Sequence, residues 1–117
     1  MQGILFSYES IATQQHIKEG IRFLFHILKH RNIPFLVMTR VQEAAILAEE
    51  LEGHQDICYP VYVKDDGIYE RAAEALHLEL KDCILVEEDP NEELDVLSAN
   101  QKNGYDLMFD LMMELMS

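Results

Sequence analysis

Side chains that could do chemistry follow four apolar segments of this 117-residue chain. Ser7 and Glu9 follow the first segment, Thr39 the second and Lys64 the third, and the acidic run Glu87-Glu88-Asp89 follows the fourth. A strand ending in Asp-x-Asp at the first position would indicate an enzyme that transfers phosphoryl groups through an aspartate nucleophile. Serine and glutamate stand there instead. The chain therefore has polar and charged groups at four such positions but no aspartate nucleophile at the first.

The charge balance argues against several function classes. Nine Lys and Arg residues against 22 Asp and Glu residues give a formal charge of −13. Such a chain repels phosphate backbones, so we expect no general nucleic-acid binding, whereas basic partners or metal cations are favoured. The alternative is an acidic surface that only maintains solubility.

Hydropathy and cysteine usage indicate a cytoplasmic protein. No segment approaches the roughly 20 apolar residues that a membrane span requires, and the first residues do not resemble a signal peptide. We therefore expect no membrane association and a cytoplasmic location. Cys58 and Cys83 lie in apolar runs without CxxC spacing, and we expect both to be buried, reduced thiols.

Apolar spacing predicts strands that alternate with helices. The strand candidates are the apolar runs at residues 4–6, 34–38, 57–63 and 82–86. Helical spacing and end signals predict helices at residues 13–31, 41–52, 68–78, 92–99 and 105–116. Pro60 suggests an edge position or a break in the third strand. An edge strand at residues 105–109 is the alternative for the last helix.

This alternation predicts an α/β fold: a three-layer α/β/α sandwich around a mostly parallel, Rossmann-like sheet. The length indicates one domain that spans residues 1–117. Ligands of such sheets bind outside the carboxyl ends of the strands. The loops that begin at Ser7, Thr39, Lys64 and Glu87 are therefore the places where function is expected.

In this order the four loop starts resemble the four motifs of the haloacid dehalogenase-like (HAD) phosphohydrolases, particularly the branch that contains phosphoglycolate phosphatase and β-phosphoglucomutase. Residues 4–10, ILFSYES, resemble the first motif with both aspartates replaced. Residues 33–39, IPFLVMT, resemble the second motif, and Lys64 is similar to the lysine of the third. Residues 82–91, DCILVEEDPN, resemble the fourth, which is commonly VEDSPN. The resemblance covers most of residues 3–104.

The resemblance implies a role for each matched residue. The positions are those of the nucleophile (Ser7), the acid and base (Glu9), the phosphate ligands (Thr39 and the catalytic Lys64) and the metal ligands (Glu88 and Asp89). An unactivated serine is a poor nucleophile, and it removes one carboxylate that would hold Mg²⁺. We therefore expect weak or absent Mg²⁺ binding.

Each of these residues also has a plain structural interpretation. Thr39 could instead cap a helix that starts at Val41. Lys64 would then be an ordinary exposed lysine, and the acidic run 87–89 would only add negative charge near a helix N-terminus. His26 and His30 share a helix face, but they lack a third ligand, so no zinc site is expected.

We interpret the chain as a degenerate HAD-like pseudoenzyme that binds a protein or a small phosphorylated ligand. The connections along the chain are too short for either usual cap insertion, so no cap domain is expected. The alternatives are a weak Mg²⁺-dependent phosphohydrolase and a receiver-like signalling domain, although the acidic residues that a receiver needs are missing. A symmetric homodimer is expected to form through the C-terminal apolar segment, unless that segment packs wholly on its own sheet. Its residues are Leu107, Met108, Leu111, Met112, Leu115 and Met116.

Overall fold

The computed structural model describes residues 2–13, 16–51, 67–89 and 96–116, and the backbone of residues 58–60. These residues form an α/β fold with a parallel sheet of five strands and a separate two-stranded hairpin. The strands are β1 (Gly3–Ser7), β2 (Ala12–Thr13), β3 (His16–Ile17), β4 (Phe35–Thr39), β5 (Cys58–Pro60), β6 (Cys83–Glu87) and β7 (Leu97–Ser98). The helices are α1 (Tyr8–Ile11), α2 (Ile21–His30), α3 (Val41–Glu50), α4 (Ile68–Ala75) and α5 (Gly104–Met116), with a 3₁₀ turn at Leu80–Asp82. The predicted α/β class and the mostly parallel sheet are confirmed.

The order of the sheet is β5-β4-β1-β6-β7, with β1 at its centre. Numbered along the chain, the five parallel strands therefore lie in the order 3-2-1-4-5. Leu5 of β1 lies opposite Leu36 of β4 on one side and Leu85 of β6 on the other. Strand β5 is at the edge, where Pro60 can be accommodated without a backbone N–H, so the predicted edge position is confirmed.

Two apolar clusters hold the helices against this sheet. Ile4 and Phe6 of β1 belong to a cluster that contains buried residues of α2 and α5. Leu5, between them, belongs to a second cluster with Ile68 and Ala72 of α4. Neighbouring residues of a strand point to opposite faces, so the two clusters cover opposite faces of the sheet. This packing leaves the carboxyl ends of β1, β4 and β6 side by side at one edge.

The predicted helix at residues 13–31 is wrong over its first part. Ala12 and Thr13 pair with Ile17 and His16 in an antiparallel hairpin, and α2 begins only at Ile21. Gly20 has a φ of 86°, a left-handed conformation that a right-handed helix cannot contain and that glycine adopts readily. A hairpin of this size is too short to produce a periodic apolar pattern.

The end of the chain contains one wrong and one confirmed prediction. The helix predicted at residues 92–99 is wrong at Leu97 and Ser98, which form β7 and pair with β6, while residues 92–95 lie outside the described residues. The last helix is confirmed as α5, and the alternative edge strand at residues 105–109 is wrong. The Asn103 side chain caps this helix by accepting from the backbone N–H groups of Tyr105 and Asp106, each at 3.0 Å.

Cys83 is a free and partly buried thiol. Burial, with a smaller effect of the charge on Asp82, raises its pKa above the ordinary value. The thiol therefore stays protonated at neutral pH, as expected for an unreactive cysteine.

Candidate functional site

A small pocket lies at the carboxyl ends of β1, β4 and β6, beside the point where the strand order reverses around β1. Its volume is about 60 Å³, which is room for a few water molecules or one small chemical group. It is lined by Ser7, Glu9, Met38, Thr39, Arg40, Glu43, Ile68, Tyr69 and Glu87. The fold therefore brings together four of the residues singled out in the sequence, namely Ser7, Glu9, Thr39 and Glu87.

Ser7, at the nucleophile position of the resemblance, caps a helix. Its Oγ accepts a hydrogen bond from the backbone N–H of Ser10 at 3.2 Å, and the Ser10 hydroxyl donates to the Ser7 carbonyl at 2.7 Å. Both serines are buried. The Ser7 side chain thus stabilises the first turn of α1, which carries the exposed Glu9 into the lining of the pocket.

Thr39 provides a buried hydroxyl without a hydrogen-bond partner among the described residues. Its relative exposure is 1%, and it ends β4 at the pocket. The N-cap of α3 is Arg40, whose backbone N–H donates to the Glu43 Oε1 at 2.8 Å, so the helix-capping interpretation of Thr39 is wrong. Leaving a buried hydroxyl unsatisfied costs about 1–3 kcal/mol. This hydroxyl therefore keeps an unused hydrogen-bonding capacity beside the pocket.

Glu87 and Tyr69 form a hydrogen-bonded pair in the pocket wall. The Tyr69 hydroxyl donates to the Glu87 Oε1 at 2.5 Å. Burial raises the pKa of Tyr69 well above its ordinary value, and the hydrogen bond to Glu87, the charge of Glu87 and that of Glu9 add to the effect. Tyr69 therefore keeps its proton and remains the donor of this hydrogen bond.

Glu88, at the metal position of the resemblance, is bound to a lysine. The Lys18 Nζ lies 2.7 Å from the Glu88 Oε2 and also donates to the Ala99 carbonyl at 3.1 Å. The Lys18 side chain is only 10% exposed and that of Glu88 30%. Glu88 is not among the pocket-lining residues, and Asp89, which follows it, is exposed.

Within the described ranges, no group of three or more His, Cys, Asp or Glu side chains is arranged to hold a metal ion. This holds for His26 and His30, whose rings stack with centroids 6.4 Å apart. Lys64 lies outside the described residues.

Sequence reasoning missed several residues of this region. Arg40 is the N-cap of α3, Glu43 lies in the first turn of that helix, and Tyr69 lies in the first turn of α4. Their signal was position, because helices that follow the strands of a parallel sheet start at the same edge as the pocket. Sequence reasoning did not single out Lys18, because residues 13–31 were predicted to form one helix. Gly20 was the residue that argued against that helix.

The described part of the chain contains no helix that is both long and apolar enough to cross a membrane. Comparisons with protein-family models, with curated proteins and with solved structures gave no match. The fold and the site define the class: an α/β domain with a small, acidic pocket at the carboxyl edge of a parallel sheet.

Proposed function

We propose that this chain is a non-catalytic binding domain of HAD-like organisation, a three-layer sandwich without a cap that binds a ligand in the pocket at Thr39. The strand order 3-2-1-4-5 supports this assignment because it is the order of Rossmann-like sheets. Receiver domains have the order 2-1-3-4-5 of flavodoxin-like sheets, so the observed sheet disfavours the receiver alternative.

One observation carries the proposal: two positions that catalysis would require are used for internal contacts. Ser7 caps α1, and Glu88 is held by Lys18. The Thr39 hydroxyl, in contrast, has no hydrogen-bond partner among the described residues and does not cap a helix. The chain has kept a binding group while the reactive positions stabilise the fold.

The second candidate is a weak Mg²⁺-dependent phosphohydrolase. It is favoured by one observation, since Glu9 and Glu87 present two carboxylates to the pocket. One or two carboxylates and several waters are the usual environment of Mg²⁺ in proteins.

The purified protein is expected to show no turnover of an aryl phosphate in the presence of Mg²⁺. Loss of a covalent nucleophile removes many powers of ten in rate, and neighbouring groups do not restore them. Release of the coloured phenol is the measurement, with Lys64→Ala as the matched control. Mg²⁺-dependent turnover by the wild type that disappears in Lys64→Ala would contradict the proposal and favour the phosphohydrolase.

We also propose that a second copy of this chain pairs with the outer face of α2 and α5. Leu107 and Leu111 of the predicted apolar segment are buried in the core, whereas Met112 is half-buried. A different stripe is exposed, on the opposite side of α5. It consists of Tyr105, Phe109, Met113 and Met116, with Phe23 of α2 in ring contact with Tyr105.

Charge complementarity makes a second copy the favoured partner. Residues 21–31 hold three of the nine Lys and Arg residues and no acid, whereas residues 104–116 hold three acids and no base. A two-fold axis that places α2 of one copy against α5 of the other covers the apolar stripe and brings a basic segment near an acidic one, while contacts within each chain, such as Asp110 with Lys102, are kept. Without this match between a basic and an acidic segment, two chains of charge −13 would repel each other.

The wild type is expected to change from monomer to dimer as its concentration rises, and Phe109→Ser with Met113→Ser is expected to remain monomeric. Removing two exposed apolar side chains takes away much of the buried area of the interface. Light scattering coupled to size exclusion is the measurement. Val41→Ser is the matched control, because Val41 is 70% exposed and Phe109 66%, yet Val41 lies at the start of α3. A wild type that is monomeric throughout, or a double variant that still dimerises, would refute the interface.

A further inference from the structure

The pocket at Thr39 combines an unpartnered hydroxyl with an excess of negative charge. Glu9, Glu43 and Glu87 line it, and Arg40 is the only Lys or Arg among the described residues that do so. The Thr39 Oγ1 is buried and forms no hydrogen bond within the described chain. The lining therefore offers acceptors and negative charge to whatever enters.

We infer that this pocket binds a primary ammonium group; the inference rests on the proposed function, since it takes the same pocket as the binding site. An ammonium group has three donors and no acceptor. The Thr39 hydroxyl can accept one of them once a small shift of the lining uncovers its oxygen, and the carboxylates of Glu9 and Glu87 can accept the others as charge-assisted hydrogen bonds. All three donors then have partners.

A phosphate group fits the same lining poorly. It carries between one and two negative charges and presents acceptor oxygens, which would lie beside three carboxylates with a single guanidinium to offset them. Like charges brought together in a partly buried site repel strongly because the solvent screens them little. The excess of carboxylate thus reverses the ligand charge that the HAD resemblance implies.

The size and the apolar floor of the pocket limit the rest of the ligand. A volume of about 60 Å³ accommodates an ammonium group with one or two methylenes. Met38 and Ile68 are buried residues of the pocket lining and can contact those methylenes. Either a free alkylamine or the end of a lysine side chain from a partner has this chemistry. The net charge of −13 attracts both.

The test is a titration of the full chain followed by amide NMR shifts, at constant ionic strength. The probes are methylammonium chloride, N-acetyl-lysine methylamide and sodium phosphate. Both amines are expected to shift the amides of Thr39, Arg40 and Tyr69, and phosphate is expected to leave them unchanged. Tighter binding of the lysine derivative assigns the ammonium to a partner's side chain, and tighter binding of methylammonium assigns it to a free amine.

Thr39→Val is the decisive variant, because valine keeps the shape of threonine and removes the hydroxyl. It is expected to lose about tenfold in amine affinity, the equivalent of one hydrogen bond, and to melt at a higher temperature than the free wild type. Thr13→Val, at an exposed threonine of β2, is the matched control and is expected to change neither property. A structural role for Thr39 alone would lower the melting temperature and leave any binding intact.

Three results would overturn the inference. Phosphate shifts at Thr39 without a response to either amine would overturn it and leave the proposed binding function standing. If a folded Thr39→Val binds the amines as tightly as the wild type does, the Thr39 hydroxyl does not contribute to the site. If none of the three probes shifts these amides, the inference is also overturned. The turnover assay then tests the proposed function separately.

Discussion

Gly104→Ala is expected to lower the free energy of unfolding by about 3 kcal/mol or more, the upper range for overpacking a core. A Cβ at Gly104 would overlap the backbone of Gly20 and the backbone nitrogen of Ile21. The Gly104 N–H also donates to the Glu19 carbonyl at 2.6 Å, so the two chain segments cannot separate without losing this bond. Backbone atoms cannot rotate away as the end of a side chain can.

Urea denaturation followed by circular dichroism measures this loss, and Gly3→Ala is its matched control. A Cβ at Gly3 would meet the Leu78 Cδ1 at 2.6 Å, which is the end of a flexible side chain. The control is therefore expected to lose about 1 kcal/mol. Equal stability of Gly104→Ala and the wild type would contradict the close packing of the α2 and α5 N-termini.

Lys18→Met is expected to lower the free energy of unfolding by about 2 kcal/mol. The methionine keeps the volume of the lysine stem, but the Glu88 carboxylate and the Ala99 carbonyl each lose a donor. Breaking a fully buried ion pair costs about 3–5 kcal/mol, and the 30% exposure of Glu88 reduces that cost because water can replace part of the lost interaction.

The matched control is Lys81→Met, which removes the ion pair between Lys81 and Glu79. Both of those side chains are more than two thirds exposed, at 77% and 72%, so the expected loss is below about 0.5 kcal/mol. Chemical denaturation of both variants gives the comparison. Equal losses would show that the Lys18 contacts stabilise no more than a surface pair does.

The parts of the fold that the sequence predicted well are those with continuous apolar runs. Strands β1, β4 and β6 lie within one residue of their predicted positions, because central strands of a parallel sheet are buried on both faces. The β2–β3 hairpin and β7 were missed. Each of their strands has two residues, and so short a segment has no period to detect.

The location of the site was predictable and its composition was not. Parallel strands end at one edge, so Ser7 and Thr39 were expected to meet, and they do. Which of Glu87 and Glu88 lines the pocket depends on the alternation of side chains at the end of β6, because adjacent side chains of a strand point to opposite faces of the sheet. It also depends on Lys18, which is 70 residues away from Glu88 along the chain and therefore invisible to any local pattern.

If the proposed ligand binds there, the Thr39 hydroxyl, unsatisfied among the described residues, links occupancy to protein lifetime. It weakens the empty protein, and a ligand that supplies the missing partner stabilises the native state in proportion to the logarithm of its concentration. A domain that releases no product can still report such a ligand, because a better-folded chain is degraded more slowly. The cell would then detect the ligand as a rise in the amount of this protein.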